Sequence, residues 1–243
     1  MIIHIPHAST LIPTEHRAAF VQTELTHEIA VMTDWYCDEL FALDAPTLVF
    51  PVSRLVCDPE RFREDSEETM SAVGMGAVYT RGSDGAPLRT VTPTEREMIL
   101  RKYYDSHHEA LERMVQTELE RSEHALILDG HSFHMTPLPY ETSAERPDFC
   151  IGTDDYHTPR PLAVDLIAFF RSRGFSVLEN TPFAGSIVPL RYWQKDPRVY
   201  SVMIEVNRGL YLANGTERSE RFAGVREVLR ESMALLRDAE SAL

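Results

Sequence analysis

Two histidines stand where short apolar runs finish. Ile2-Ile3-His4-Ile5-Pro6-His7 reads as a strand ending on His7. Ala125-Leu126-Ile127-Leu128 reads as a buried strand broken by Asp129-Gly130, so that His131 falls just past its carboxyl end. Open α/β sheets place ligands at that edge. Two imidazoles delivered there make half of a metal site, and a catalytic zinc takes three protein ligands and leaves one position for water. Asp34 is the candidate third ligand. Its neighbours are Met32, Trp35 and Tyr36, and an ionised carboxylate in apolar surroundings needs a cation or strong donors. Thr10 occupies the position three after His7, so there is no His-x-x-Glu pair, and His134 is close enough to His131 to be an alternative ligand.

Glu205 sits in the otherwise apolar run Ser201–Val206. Buried and unpaired, its pKa would rise strongly. Beside a metal-bound water it would serve as general base and proton shuttle; the alternative is an edge-strand residue facing solvent. Arg54 and Arg61 flank Asp58. Their planar forks suit a substrate with carboxylates, with Arg54 also a candidate oxyanion donor. Equally, an Arg54–Asp58 ion pair could simply hold the loop. His107 and His108 lie mid-helix, either orienting a substrate or carboxylate or packing a helix face. His16, His27, His124 and His157 fall in loop or exposed settings and read as solvated.

The elements that must position these groups alternate between strand and helix. Thr14 can cap a short helical turn beginning at Glu15, and the spacing of Leu25, Ile29, Met32, Trp35, Tyr36 and Leu40 predicts one helix over 23–42, with Asp34 and Asp38 on a shared face. A strand follows at 47–52. Residues 62–92 form a long excursion with a short strand at 77–80, the kind of loop that serves as a lid or substrate loop. A long helix over 94–121 leads to the strand at 125–128. Residues 136–147 are a loop, and strands at 149–153, 175–179 and 201–206 surround a helix over 161–173 that Gly174 ends. A closing helix spans 217–243. This alternation predicts a three-layer α/β/α sandwich in a single domain, 1–243.

At 243 residues, with 43% hydrophobic and 26% charged residues, the composition is that of a soluble globular protein. A net charge of −14 argues against nucleic-acid binding but not against an anionic small molecule in a locally basic cavity. Three cysteines without a Cys-x-x-Cys pair give neither a disulfide framework nor a thiolate zinc site. Neither a signal peptide nor a membrane span is evident, so a cytoplasmic location is expected, with oligomeric state undetermined.

Several segments carry a resemblance, in order along most of the chain: Pro6-His7-Ala8-Ser9 with Ile12-Pro13, Thr33-Asp34-Trp35, Ser53-Arg54 through Arg61, Tyr104 with His108, Asp129-Gly130-His131-Ser132, Ile151-Gly152-Thr153, Asn180 through Gly185, and Ile204 through Arg208. Together they resemble the N-formylglutamate amidohydrolase family, within the zinc-carboxypeptidase-like group that includes aspartoacylases. The resemblance implies a mixed central sheet of the carboxypeptidase-like (phosphorylase/hydrolase-like) kind. It also implies one zinc ion and hydrolysis of N-formyl-L-glutamate to formate and L-glutamate, a late step of histidine degradation. On this chain it makes His7, His131 and Asp34 the zinc ligands and Glu205 the water-activating residue. Arg54 and Arg61 then bind the substrate carboxylate, with Asn180, Arg208 and Tyr211 as further substrate-binding residues. One departure concerns the arginine loop, commonly Asp-Leu-Asn-Arg in the family and here Asp58-Pro59-Glu60-Arg61. Glu60 brings a charge that opposes a carboxylate substrate by up to ~4 kcal/mol at an effective dielectric near ~20. Other readings are hydrolysis of another N-acyl amino acid or a small peptide, and a metal-free binding protein on the same fold.

Overall fold

Alternation along three strands decides which side chains meet. In β1 (Ile2–Ile5), Ile3 and Ile5 enter one core while Ile2 enters another. In β3 (Ala125–Phe133), Leu126 and Leu128 enter the first core and Ala125 and Ile127 the second. In β6 (Val199–Asn207), Val202, Ile204 and Val206 join the first and Val199 the second. With a side-chain period of two, His4, Asp129, His131, Met203 and Glu205 all fall on the second face.

The computed structural model describes residues 1–240 of the chain. The other strands of this sheet are β2 (Thr47–Val49), β4 (Phe149–Gly152) and β5 (Val177–Glu179). The sheet order is β2-β1-β3-β6-β4-β5, parallel except where β4 pairs antiparallel with β6. On the first face pack α3 (Cys37–Leu40), α6 (Arg160–Ser172) and α7 (Phe222–Glu240), through residues such as Leu40, Leu166, Phe170 and Leu229. On the other, Leu111 and Val115 of α5 (Ser106–Ser122) cover Ile2 and Ile127. The result is the expected three-layer α/β/α arrangement with a mixed sheet.

Several boundaries differ from the sequence expectation. The strand at 125–128 does not stop at Asp-Gly; β3 continues to Phe133 and pairs with β6 from Ala125↔Val199 to Phe133↔Asn207. Gly130 serves close packing here rather than a turn, since a Cβ would lie 2.8 Å from both Ile5 Cδ1 and Phe41 Cδ2. Gly130→Ala is therefore expected to cost about 1–3 kcal/mol through overpacking, read as a lower denaturation midpoint in urea. After α1 (Thr14–Arg17), the single helix expected over 23–42 is broken: α2 (Gln22–Met32) ends, Tyr36 takes a left-handed conformation, and α3 restarts at Cys37. Asp34 lies in that break, its backbone N–H donating to His7 O at 3.0 Å, so it shares no helix face with Asp38.

The helical stretch over 93–122 begins with a Thr92–Glu95 capping box on α4 (Pro93–Ile99) and passes through a π-helical segment, Leu100–Asp105, into α5. A strand at 77–80 does not form. Residues 62–92 instead pack Met75, Ala77, Tyr79 and Leu88 into a third core, beside Phe50 and Leu55. Buried polar anchors hold the segment: Glu28 accepts from Ser83 N and Oγ, and Arg89 donates to the carbonyls of Val56 and Tyr79. Residues 217–218 belong to a small hairpin, β7 (Leu212–Ala213) with β8 (Glu217–Arg218), and the closing helix starts at Phe222. Its expected end at 241–243 lies outside the described residues.

Candidate active site

His131 is not beyond the strand but within it, paired in register with Glu205 across the β3–β6 ladder. His4 is likewise paired with Asp129 across β1–β3. His7 lies two residues beyond β1, and Asp34 enters from the α2–α3 break. His7, Asp34 and His131 are each at most 3% exposed, and one donor atom from each lies within 4.8 Å of the others. His131 Nδ1 is 3.2 Å, and His7 Nδ1 3.7 Å, from Asp34 Oδ2.

The surroundings orient this group. His7 Nε2–H donates to Asp58 Oδ1 at 2.8 Å, which leaves His7 Nδ1 facing the cluster with no hydrogen-bond partner. His131 Nε2 is 3.0 Å from Asp129 Oδ1 and 3.1 Å from Glu60 Oε2. Carboxylates on the far nitrogens of two imidazoles are the usual outer partners of metal-ligating histidines. Two imidazole nitrogens and one carboxylate oxygen, one of those nitrogens buried and unpartnered, fit a catalytic zinc. His134 instead bonds Thr136.

Charge at the site is densely paired. Burial would raise the Asp34 carboxyl, but the His131 hydrogen bond, the nearby His7 imidazole and the Arg208 guanidinium hold it well below its ordinary range. Arg208 donates to Asp34 Oδ1 at 2.8 Å and to the oxygens of Ser132 and Val31. Asp58 is also kept well below its ordinary range against burial, by Arg54 and His7. Arg54 grips Asp58 Oδ2 through two N–H groups at 3.1 and 2.7 Å, and Tyr79 O–H donates to the same oxygen at 2.8 Å. The ion-pair alternative for Arg54 is thus realised, although Arg54 still borders the cavity.

That cavity, about 220 Å³, is lined by His7, Asp34, His131, Glu205, Arg54 and Arg61 among others. Glu205 is 7% exposed on an interior strand, not at a solvent-facing edge, and its Oε2 has no partner. Burial pushes its pKa up to about 8, with Asp34 and Glu60 adding to the rise and His131 and Arg208 opposing it. A carboxyl poised there exchanges a proton readily near neutral pH. Arg61 Nε is buried without a hydrogen bond, 3.7 Å from Asp58 Oδ2, and borders the cavity where a substrate carboxylate would sit. Arg208 borders the cavity but is committed to Asp34.

Two candidates lie elsewhere. The Tyr211 hydroxyl is buried and donates to Trp35 O, and Asn180 bonds Thr153 on an exposed turn; neither lines this cavity. Of the histidines expected to be solvated, His157 is fully buried, donating from Nδ1 to Val199 O and accepting at Nε2 from Gln194 N. Asp129, Glu60 and His4 went unassigned in the sequence; the signal for Asp129 was its two-residue spacing from His131, which puts both on one strand face.

His107 and His108 each bond across to another segment, and neither hydrogen-bonds a carboxylate among the described residues. His107 Nε2 lies 2.8 Å from His4 Nε2, and His108 donates to Pro59 O at 2.8 Å, holding the arginine loop against α5. Burial lowers the His108 pKa, so the folded state binds its proton less well than the unfolded chain, where the pKa is about 6.5. The stabilisation is present above that value and is lost as pH falls below it, by at most about 1.4 kcal/mol per pH unit. Urea unfolding at pH 7 and pH 5 is expected to show a smaller loss in His108→Gln than in the parent, since glutamine keeps the amide donor without titrating.

The N-formylglutamate amidohydrolase family model matches residues 1–212. Among solved structures, the chain is similar to an N-formylglutamate amidohydrolase from Ralstonia eutropha, with a TM-score of 0.82 and 23% identity over 99% of this chain and 92% of that one. It is also similar in fold to a gene product of Agrobacterium tumefaciens, with a TM-score of 0.66 and 17% identity over 98% of this chain and 91% of that one. No curated protein sequence matches. A match over residues 1–212, containing every residue of the cluster, means that the chain belongs to the N-formylglutamate amidohydrolase family.

Proposed function

We propose that this protein is a zinc-dependent amidohydrolase that splits N-formyl-L-glutamate into formate and L-glutamate. The observation that carries the reading is the convergence of His7 Nδ1, Asp34 Oδ2 and His131 Nδ1 beside an unpaired Glu205 carboxyl in one cavity. Zinc held by those three residues would polarise the formyl carbonyl and lower the pKa of a bound water.

The chain's own residues do the rest. Arg61 takes a substrate carboxylate, which fixes the formamide against the cluster. Glu205, as carboxylate, accepts the proton of the attacking water. The same carboxyl then delivers that proton to the departing nitrogen as the C–N bond breaks, so glutamate leaves as the amine and the water oxygen ends in formate. Asp58 and Asp129 hold the two imidazoles in orientation, and Arg208 does the same for Asp34.

Formate release tests this. Chelated protein restored with zinc is expected to hydrolyse N-formyl-L-glutamate faster than N-acetyl-L-glutamate or a dipeptide, and chelation is expected to abolish the activity. Protein that binds zinc but releases no formate would sink the proposal. Faster turnover of the acetyl compound or the dipeptide would move the substrate to another N-acyl amino acid or a peptide.

A further inference from the structure

Behind His131 lies a second group of donors. His4 Nδ1 is 2.8 Å from Asp129 Oδ1 and 3.6 Å from Glu60 Oε1. His131 turns Nδ1 to the cluster already described and Nε2 to this one, 3.0 Å from Asp129 Oδ1 and 3.1 Å from Glu60 Oε2. His4, Glu60 and Asp129 each offer an atom within 4.8 Å of the other two. His4 and Asp129 are each 1% exposed, while Glu60 borders both the 220 Å³ cavity and an adjoining cavity of about 410 Å³ that Asp129 also lines.

Hydrogen bonding satisfies His4 and Asp129 but not Glu60. Two ring N–H donors, from His4 Nδ1 and His131 Nε2, both point at Asp129 Oδ1. Glu60 Oε1 is buried and has no donor at all. A carboxylate with one oxygen desolvated and unpaired, set against a second carboxylate, is costly unless a cation completes the arrangement. The imidazole behind is already arranged for it: His4 Nε2 is 2.8 Å from His107 Nε2, the outer hydrogen bond that a metal-ligating histidine makes with its other nitrogen.

We infer that His4, Asp129 and Glu60 form a second divalent-cation site, separated from the His7–Asp34–His131 set by the imidazole ring of His131. One nitrogen and two carboxylate donors suit a borderline-to-hard transition ion such as zinc or manganese. The site also accounts for the acidic residue in the arginine loop. Alone, Glu60 opposes a carboxylate substrate; as a ligand, its charge is neutralised by the cation where it and Arg61 line both cavities, so that a substrate carboxylate meets Arg61 without that repulsion.

Metal stoichiometry decides the matter without reference to activity. Chelated protein is titrated with Zn²⁺ by calorimetry, and the metal retained after refilling and gel filtration is measured by mass spectrometry. The expected result is two equivalents for the parent, one for Glu60→Asn and one for His7→Asn, each variant keeping the parent circular-dichroism spectrum. Glu60 borders a cavity, so its replacement spares the buried core; should His7→Asn unfold, the parent and Glu60→Asn still decide. Saturation of the parent at one equivalent, or two equivalents in Glu60→Asn, overturns the second site. Failure of the amidohydrolase reading would appear separately, as absent formate release from protein of either stoichiometry.

Discussion

Glu205→Gln is expected to lower kcat for N-formyl-L-glutamate by roughly 10²–10⁴-fold, the range that a positioned general acid–base contributes. Zinc content should stay at the parent level, because the side chain is not among the three converging donors. Glutamine keeps the volume on β6 and the packing against β3, so the melting temperature should stay near that of the parent. What it removes is the ability to hold a proton between water and the departing amine. The expected sign with pH follows from the same step. The carboxylate form of Glu205 is the base, so kcat/KM rises with pH along an acid limb, and that limb should be absent from the residual activity of the variant. In the metal-free protein burial places this carboxyl at about 8. A cation nearby favours the carboxylate, so the limb in zinc-loaded protein should lie below that value. Near-parent turnover in a zinc-replete Glu205→Gln protein would remove Glu205 from the reaction.

Why some of this site was legible in sequence, and some was not, comes down to range. Short apolar runs announced β1, β3 and β6, put His7 and His131 at strand ends and put Glu205 inside a third strand. The register that sets His131 opposite Glu205 and His4 opposite Asp129 is a long-range property of strand pairing, and no single strand encodes it. Asp-Gly misled because the dipeptide usually signals a turn. Here Asp129 finds partners in His4, His131 and Ile187 N, and Gly130 is demanded by Ile5 and Phe41 across the sheet. Tertiary packing overrode the local signal. Asp34 was singled out as a carboxylate among apolar neighbours, and it does lie beside His7 and His131, but in the break between α2 and α3 and not on the helix the spacing predicted. The break that frees it depends on Tyr36 in a left-handed conformation and on a hydrogen bond to His7 O, neither of which residue spacing reveals. Tyr79, read as part of a strand, instead reaches Asp58 from a packed excursion 21 residues away along the chain.

Asp58→Asn should have the second largest effect, on both metal affinity and stability. Every group facing the Asp58 carboxylate is a donor. Oδ1 takes His7 Nε2–H and Glu60 N–H, and Oδ2 takes two Arg54 N–H groups and the Tyr79 hydroxyl. An asparagine amide must turn its NH₂ toward one of these sets, whichever way it is flipped, so at least one donor meets another donor. If the NH₂ faces Arg54, the guanidinium loses its acceptor as well as its counter-charge, a loss that costs about 3–5 kcal/mol when one partner of a buried pair is removed. For a chain of this size that corresponds to a drop in Tm of roughly 6–20 °C. If it faces His7, Nε2 can no longer donate, and the tautomer that presents an unprotonated Nδ1 to the cluster is lost. Outer partners of this kind typically carry 10–100-fold in metal affinity. Zinc competition with a chromophoric chelator and a melting curve, run on one preparation, separate the two routes. A large Tm loss with parent zinc affinity points to Arg54, and weakened zinc binding with little Tm loss points to His7. Parent behaviour in both would show that Asp58 does not orient the site.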